Sequence, residues 1–96
     1  MEGLTRFDIA AYGPHRMVVV ESDLLPPDPA IVVIPLIEGY PAVPHLNPVI
    51  DVAGTPHVLA TRLIAAVQRG RLKRVGSAAT QGDAITRAVD VLMAGV

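Results

Sequence analysis

Proline and glycine cut the chain between Leu4 and Thr61 into pieces too short for helices, and this punctuation is what most restricts its fold. The segment "LTRFDIAAY" ends at Gly13-Pro14, a turn signal, and "HRMVVVES" follows at once, so residues 4–21 read as a β-hairpin. In "DLLPPDP", Pro26, Pro27 and Pro29 remove amide donors and fix φ, which forces a loop. "AIVVIPL" is apolar on both alternating faces, as a central strand covered on both sides must be, and Pro35 near its end suits a strand terminus or an edge. After the proline-broken "GYPAVPHLNP" come "PVIDV" and "TPHVLAT". They flank Ala53-Gly54 as a second hairpin, with Ile50, Val52 and Val58 inward and Asp51 and His57 toward water.

Beyond this hairpin the pattern changes. "LIAAV" is a strand or a short helical turn, because periodicity does not separate the two over so few residues. "QRGRLKRVGSAATQGD" is the most polar and basic stretch and reads as a loop. One helix follows, with Thr80 placed to cap it and Asp83 three residues on, where a carboxylate suits the positive helix end. Ile85, Ala88, Val89, Leu92 and Met93 then recur as a single apolar stripe. The expected fold is mainly β: a mostly antiparallel sheet, strongly bent or closed, with one C-terminal helix, all in one domain over residues 1–96.

Composition narrows the function classes. Hydrophobic residues are 51% of the chain, more than one core of this size needs, so a second chain is expected to cover part of the apolar surface. Charged residues are only 18% and the formal net charge is -1, which argues against a general nucleic-acid binder. The absence of cysteine excludes disulfides, thiolate metal sites and a Cys nucleophile. No signal-like or membrane-length apolar run occurs, so a soluble cytoplasmic protein without membrane contact is expected.

Candidate chemistry is sparse. His15, His45 and His57 have no carboxylate at ligand spacing, so no metal is expected. Glu38 and Asp51 are isolated, Ser22 and Ser77 lack nucleophile-elbow glycines, and no Gly-rich phosphate loop occurs, leaving no catalytic set and no cofactor. Arg69, Arg71, Lys73 and Arg74 have no aromatic interleaved for base stacking and read as a solvated face.

Four ordered motifs carry a resemblance over essentially the whole chain. "ESDLL" after a Val-rich strand, "VVIPL", "LNPVIDVAG" leading into a hairpin, and the terminal "ITRAVDVLMAGV" together resemble the CcdB toxins of bacterial toxin–antitoxin modules. The resemblance implies a bent five-stranded antiparallel sheet with a minor sheet and a C-terminal helix, related to SH3-like barrels, in a homodimer. It implies a poison rather than an enzyme, serving functions such as plasmid maintenance. Such a toxin traps DNA gyrase through its A subunit while the DNA is broken, and a CcdA-like antitoxin with a disordered C-terminal segment neutralises it. No sequence-specific nucleic-acid binding of its own is implied.

Carried over residue by residue, the gyrase contacts fall on Ala94, Gly95 and Val96, and the antitoxin contacts on Leu24, Leu25, Asp90 and Met93. The family's best known member has a Trp where this chain has Ala94, and truncating such an aromatic anchor commonly removes about 2 kcal/mol or more of binding. A weaker poison is therefore expected.

The residues themselves offer a physical reason for the terminal site. Gly95 is equally a C′ glycine that ends a helix. A carboxylate on Val96, however, lies beside the negative helix end, disfavoured by about 0.3–1 kcal/mol, and so suits a cationic partner. In a dimer whose last helices approach the two-fold axis, two such ends form one symmetric probe. On the residues alone Leu24 and Leu25 before Pro26-Pro27 read as strand-end core residues, and the resemblance makes a rigid docking groove an equal reading. Two alternatives stay open: a ribonuclease of the same fold using His15 and Arg16 as acid–base and phosphate-clamp groups, and a non-toxic dimeric binding protein.

Overall fold

Gly13 and Pro14 do turn the chain back on itself. A computed structural model describes residues 3–95, and in it strand β1 (Asp8–Tyr12) pairs antiparallel with β2 (His15–Val19) across that turn. Gly13 has φ +58°, which costs glycine nothing and an L side chain a good deal. The apolar run becomes β3 (Ala30–Ile37), flanked by β2 on one side and by two strands on the other. The second hairpin is β4 (Val49–Val52) and β5 (Thr55–Leu59). The ambiguous "LIAAV" is mainly strand: Leu63 closes a 3-10 turn at Thr61–Leu63, and Ala65, Ala66 and Val67 lie in β6 (Ala65–Gln68).

With a last strand β7 (Lys73–Ser77), all strand pairings are antiparallel, in the order β4-β5-β3-β2-β1-β7, with β6 on the free half of β3. The bent, mainly β architecture with one C-terminal helix is thus present. The sheet has seven strands, where a five-stranded sheet with a minor sheet was expected. The seventh, β7 (Lys73–Ser77), lies within the stretch read as a loop and forms the edge beside β1. Its charged residues face solvent, as edge strands commonly arrange, and that hides the period-2 signal. Pro35 is neither at an end nor on an edge. It sits where β3 leaves β6, paired up to Val33, and meets β5 from Leu36, so its missing amide falls in the gap between two partners.

The second hairpin also corrects one side-chain assignment. The two-residue Ala53-Gly54 turn, with φ +50° and +86°, sets Val52 opposite Thr55, so Ile50 faces His57 and Val58 faces Val49. Val58 is buried, but on the other face from Ile50, and the His57 ring is half-buried with Nδ1 3.0 Å from the Thr55 carbonyl oxygen.

Strand alternation produces two apolar clusters. Ile9, Val18, Ile34, Leu36, Ile50 and Leu59 project to the face covered by helix α1 (Gly82–Ala94), where Ile85 and Ala88 complete the core. Ala10, Met17, Val19, Ile31 and Val33 project to the other face, packed by Leu4, Val67 and Leu72. β1 to β3 are therefore covered on both sides, as the "AIVVIPL" pattern requires.

The helix start differs from its expected form. A 3-10 turn at Ala79–Gln81 precedes α1, Ser77 Oγ accepts from the Ala79 amide at 3.1 Å, and no side chain caps the α-helix itself, so Thr80 is not its cap. Gln81 instead reaches β4: its Nε2 donates to the Val49 carbonyl at 2.8 Å, and its Oε1 lies 3.4 Å from the Asp51 amide. This pins the helix start to an otherwise open sheet edge. Phe7, at φ +72°, joins the same corner by accepting from the Ala78 amide and donating to the Val19 carbonyl, both at 2.7 Å. No helix of the described residues is long and apolar enough to cross a membrane.

Candidate functional site

Burial falls steadily along α1. Ile85 and Ala88 are buried, Val89, Val91 and Leu92 are half-buried, and Met93 is 74% exposed. The apolar stripe read in the sequence therefore runs off the sheet before the helix ends. The Gly95 amide donates to the Val91 carbonyl at 3.0 Å with φ +76°, a left-handed cap that closes the helix. A Cβ at Gly95 would meet nothing within 4 Å. The glycine answers the backbone angle rather than any crowding in this chain, which leaves the space around it open to another molecule. Ala94 and Gly95 are exposed, and Val96 lies outside the described residues.

Leu24 and Leu25 are not core residues. They are 94% and 55% exposed on a loop pinned at both ends. At its start Ser22 Oγ accepts from the Leu24 amide at 3.1 Å and the Ser22 carbonyl from the Leu25 amide at 3.3 Å. At its end Asp28 caps the Ala30 amide at 2.8 Å, and Arg69 donates to the Asp28 carbonyl at 3.0 Å. With Pro26, Pro27 and Pro29 between these anchors, the leucines are held out in water on a loop with little freedom to lose.

The loop and the helix are joined through Arg6, which the sequence reading missed. Its amide donates to Asp23 Oδ1 at 2.8 Å, its guanidinium donates to Thr86 Oγ1 at 3.1 Å, and the cation lies 4.7 Å from the Phe7 ring centroid. Thr86, Asp90 and Met93 are spaced i, i+4 and i+7 and share one helical face, so the bridge meets the face that carries both helical candidates. Thr86 was detectable from that spacing. Nothing in "LTRFD" singles out Arg6.

The other candidates are differently placed. Arg16 directs its guanidinium at the carbonyls of Gly13 and His15, at 3.1 and 3.3 Å, so the phosphate clamp of the ribonuclease alternative is engaged by its own turn. His45 Nδ1 accepts from Arg87 at 2.9 Å on the flank of α1. Arg69 pairs with Glu21 at 3.5 Å and Arg74 with buried Asp8 at 3.1 Å, so two of the four basic-loop residues are structural.

A family model described as CcdB protein matches residues 8–95. No curated protein gives a match to the chain.

Proposed function

The chain belongs to the CcdB family, and on that premise we propose that it is the toxin of a type II toxin–antitoxin module that binds the A subunit of DNA gyrase and traps the cleaved-DNA complex. The observation that carries this reading is the family match over nearly the whole chain, extending through Gly95. The exposed end of α1 supports it, since Met93, Ala94 and Gly95 stand clear of the core while Ile85 and Ala88 anchor the helix.

In this reading Ala94, Gly95 and Val96 enter the gyrase A-subunit dimer, and two copies of the chain present their tips together as a homodimer. The mechanism is a shift of population: a ligand that binds the open, broken-DNA conformation better than the closed one lengthens the life of that state. No bond is made or broken by the toxin. A CcdA-like antitoxin docks on Leu24, Leu25, Asp90 and Met93, and displaces gyrase by competing for overlapping surface. The rigid loop and its Arg6 link to the helix support a single docking surface made from both elements.

A gyrase supercoiling reaction, denatured and scanned for linear DNA, tests the proposal. The intact chain should yield linear product, and a chain lacking Gly95 and Val96 should not. Equal cleavage by both would remove the terminal residues from the mechanism. RNA cut without gyrase, and spared after His15→Ala, would favour the ribonuclease instead.

A further inference from the structure

With no cysteine and no tryptophan, the chain has methionine as its most readily oxidised side chain. Of the three methionines, Met1 lies outside the described residues, Met17 is 8% exposed within the sheet, and Met93 is 74% exposed on the projecting half of α1. Met17 packs with Ala10, Val19, Ile31 and Val33, so an oxidant reaches its sulfur only when the sheet opens. Met93 needs no opening.

The two contacts proposed for the helix end differ in this same chemistry. Ala94, Gly95 and Val96, assigned to gyrase, hold no oxidisable side chain. The antitoxin contact includes Met93, a flexible thioether that serves an interface by its apolar, adaptable shape. Oxidation turns it into a polar, chiral sulfoxide whose oxygen is a hydrogen-bond acceptor. Its neighbours on the helix surface, four and three residues back, are Val89 and Asp90, an apolar group and another acceptor. Thr86, which holds the Arg6 guanidinium, lies seven residues back, about 10 Å along the axis. A partner that covers the sulfoxide therefore desolvates an oxygen for which this chain supplies no donor at hand.

We propose that Met93 is a site of oxidation by hydrogen peroxide, and that its sulfoxide blocks recapture by the antitoxin while leaving the gyrase contact intact. The sulfur lone pair attacks one peroxide oxygen, an S–O bond forms as the O–O bond breaks, and the proton on the transferred oxygen passes to the departing hydroxide, which leaves as water. Sulfur loses two electrons and peroxide gains them. A docked antitoxin shields the sulfur, so the freed toxin is the form oxidised. Release followed by oxidation holds the toxin active until a methionine sulfoxide reductase, drawing on a dithiol, returns the thioether. The effect on recapture rests on the antitoxin contact proposed for Met93, whereas the oxidation does not.

Timed exposure of the full chain to hydrogen peroxide, followed by peptide mass mapping, tests the site without a partner. Met93 should gain one oxygen about ten-fold or more faster than Met17, at a rate independent of protein concentration. Equal rates at the two sulfurs, or protection of Met93 that grows with concentration as a second copy covers it, overturns the proposal. The effect on recapture is read in the gyrase reaction, with a synthetic peptide of the disordered C-terminal segment of a CcdA-like antitoxin as neutraliser. Oxidised and unoxidised chains should yield linear DNA within about two-fold of each other, and the oxidised chain should need about ten-fold more peptide to be silenced. Met93→Leu should match the parent and be unmoved by peroxide; Met93→Gln, polar and of similar length, should resist the peptide without peroxide. Equal peptide requirements before and after oxidation overturn the proposal and leave the antitoxin surface standing. A peptide that silences neither form removes that surface, and the proposal with it. If neither form yields linear DNA, the gyrase reading fails, and peptide affinity measured by calorimetry on the two forms decides the proposal.

Discussion

Gly82 opens α1 hard against Phe7: a methyl group built on it would lie 2.8 Å from Phe7 Cε2. Replacing glycine by alanine inside a helix ordinarily gains about 0.5–1 kcal/mol. Here the Phe7 backbone is held by two hydrogen bonds at a positive φ and its ring carries the Arg6 guanidinium 4.7 Å from its centroid, so the ring does not retreat freely and overpacking at about 1–3 kcal/mol wins. Gly82→Ala is expected to lower the denaturant midpoint, and a more stable variant would show that the Phe7 corner yields. Asp8 is a second such position, 4% exposed, with one carboxylate oxygen accepting from the Thr5 amide at 2.8 Å and the other from Arg74. Asp8→Ala removes the carboxylate that accepts from both the Thr5 amide and Arg74, and should cost about 1–3 kcal/mol. Asp8→Asn can still accept from Thr5 and should recover part of that loss, read by urea unfolding.

At the scale of elements, α1 divides into an anchoring half and a projecting half, and substitution separates them. Ile85→Ala opens a cavity in the core beneath the sheet and should cost about 2–5 kcal/mol. Met93→Ala, at a mostly exposed position, should stay within about 0.5 kcal/mol of the parent. A loss at Met93 comparable to that at Ile85 would mean the helix end is packed rather than presented.

Helix and hairpins were legible because their signals are local: a 3.6-residue period, Gly13-Pro14, and Ala53-Gly54. What escaped depended on partners distant in sequence. β7 is a strand because β1 needs a neighbour, although "KRVGS" has no apolar alternation. The face of Val58 follows from the turn register, which composition does not encode. Thr80 has the right chemistry for a cap, but Gln81 finds acceptor and donor on β4, and the chain enters the helix through a 3-10 turn instead. The candidate site was legible in its exposed residues, Leu24, Leu25 and Met93, and opaque in Arg6, whose role exists only once residues 6, 23 and 86 meet.

For the molecule as a whole, the open matter is how many copies act together. Tyr12, Leu24, Leu25, Val43, Val49, Leu63, Val75 and Met93 are large apolar residues left substantially exposed, in a chain whose hydrophobic fraction already exceeds the needs of one small core. The proposed gyrase contact needs two tips brought side by side, and the second copy is the economical cover for part of that surface. If a homodimer is the folded species, unfolding releases two chains and stability depends on protein concentration. Each ten-fold increase in concentration should then stabilise the dimer by about 1.4 kcal/mol and raise the thermal midpoint stepwise. Calorimetry over a hundred-fold concentration range measures this directly. A midpoint that does not move, with a monomer mass in sedimentation at the same concentrations, would leave the terminal residues single and remove the symmetric probe on which the gyrase mechanism depends.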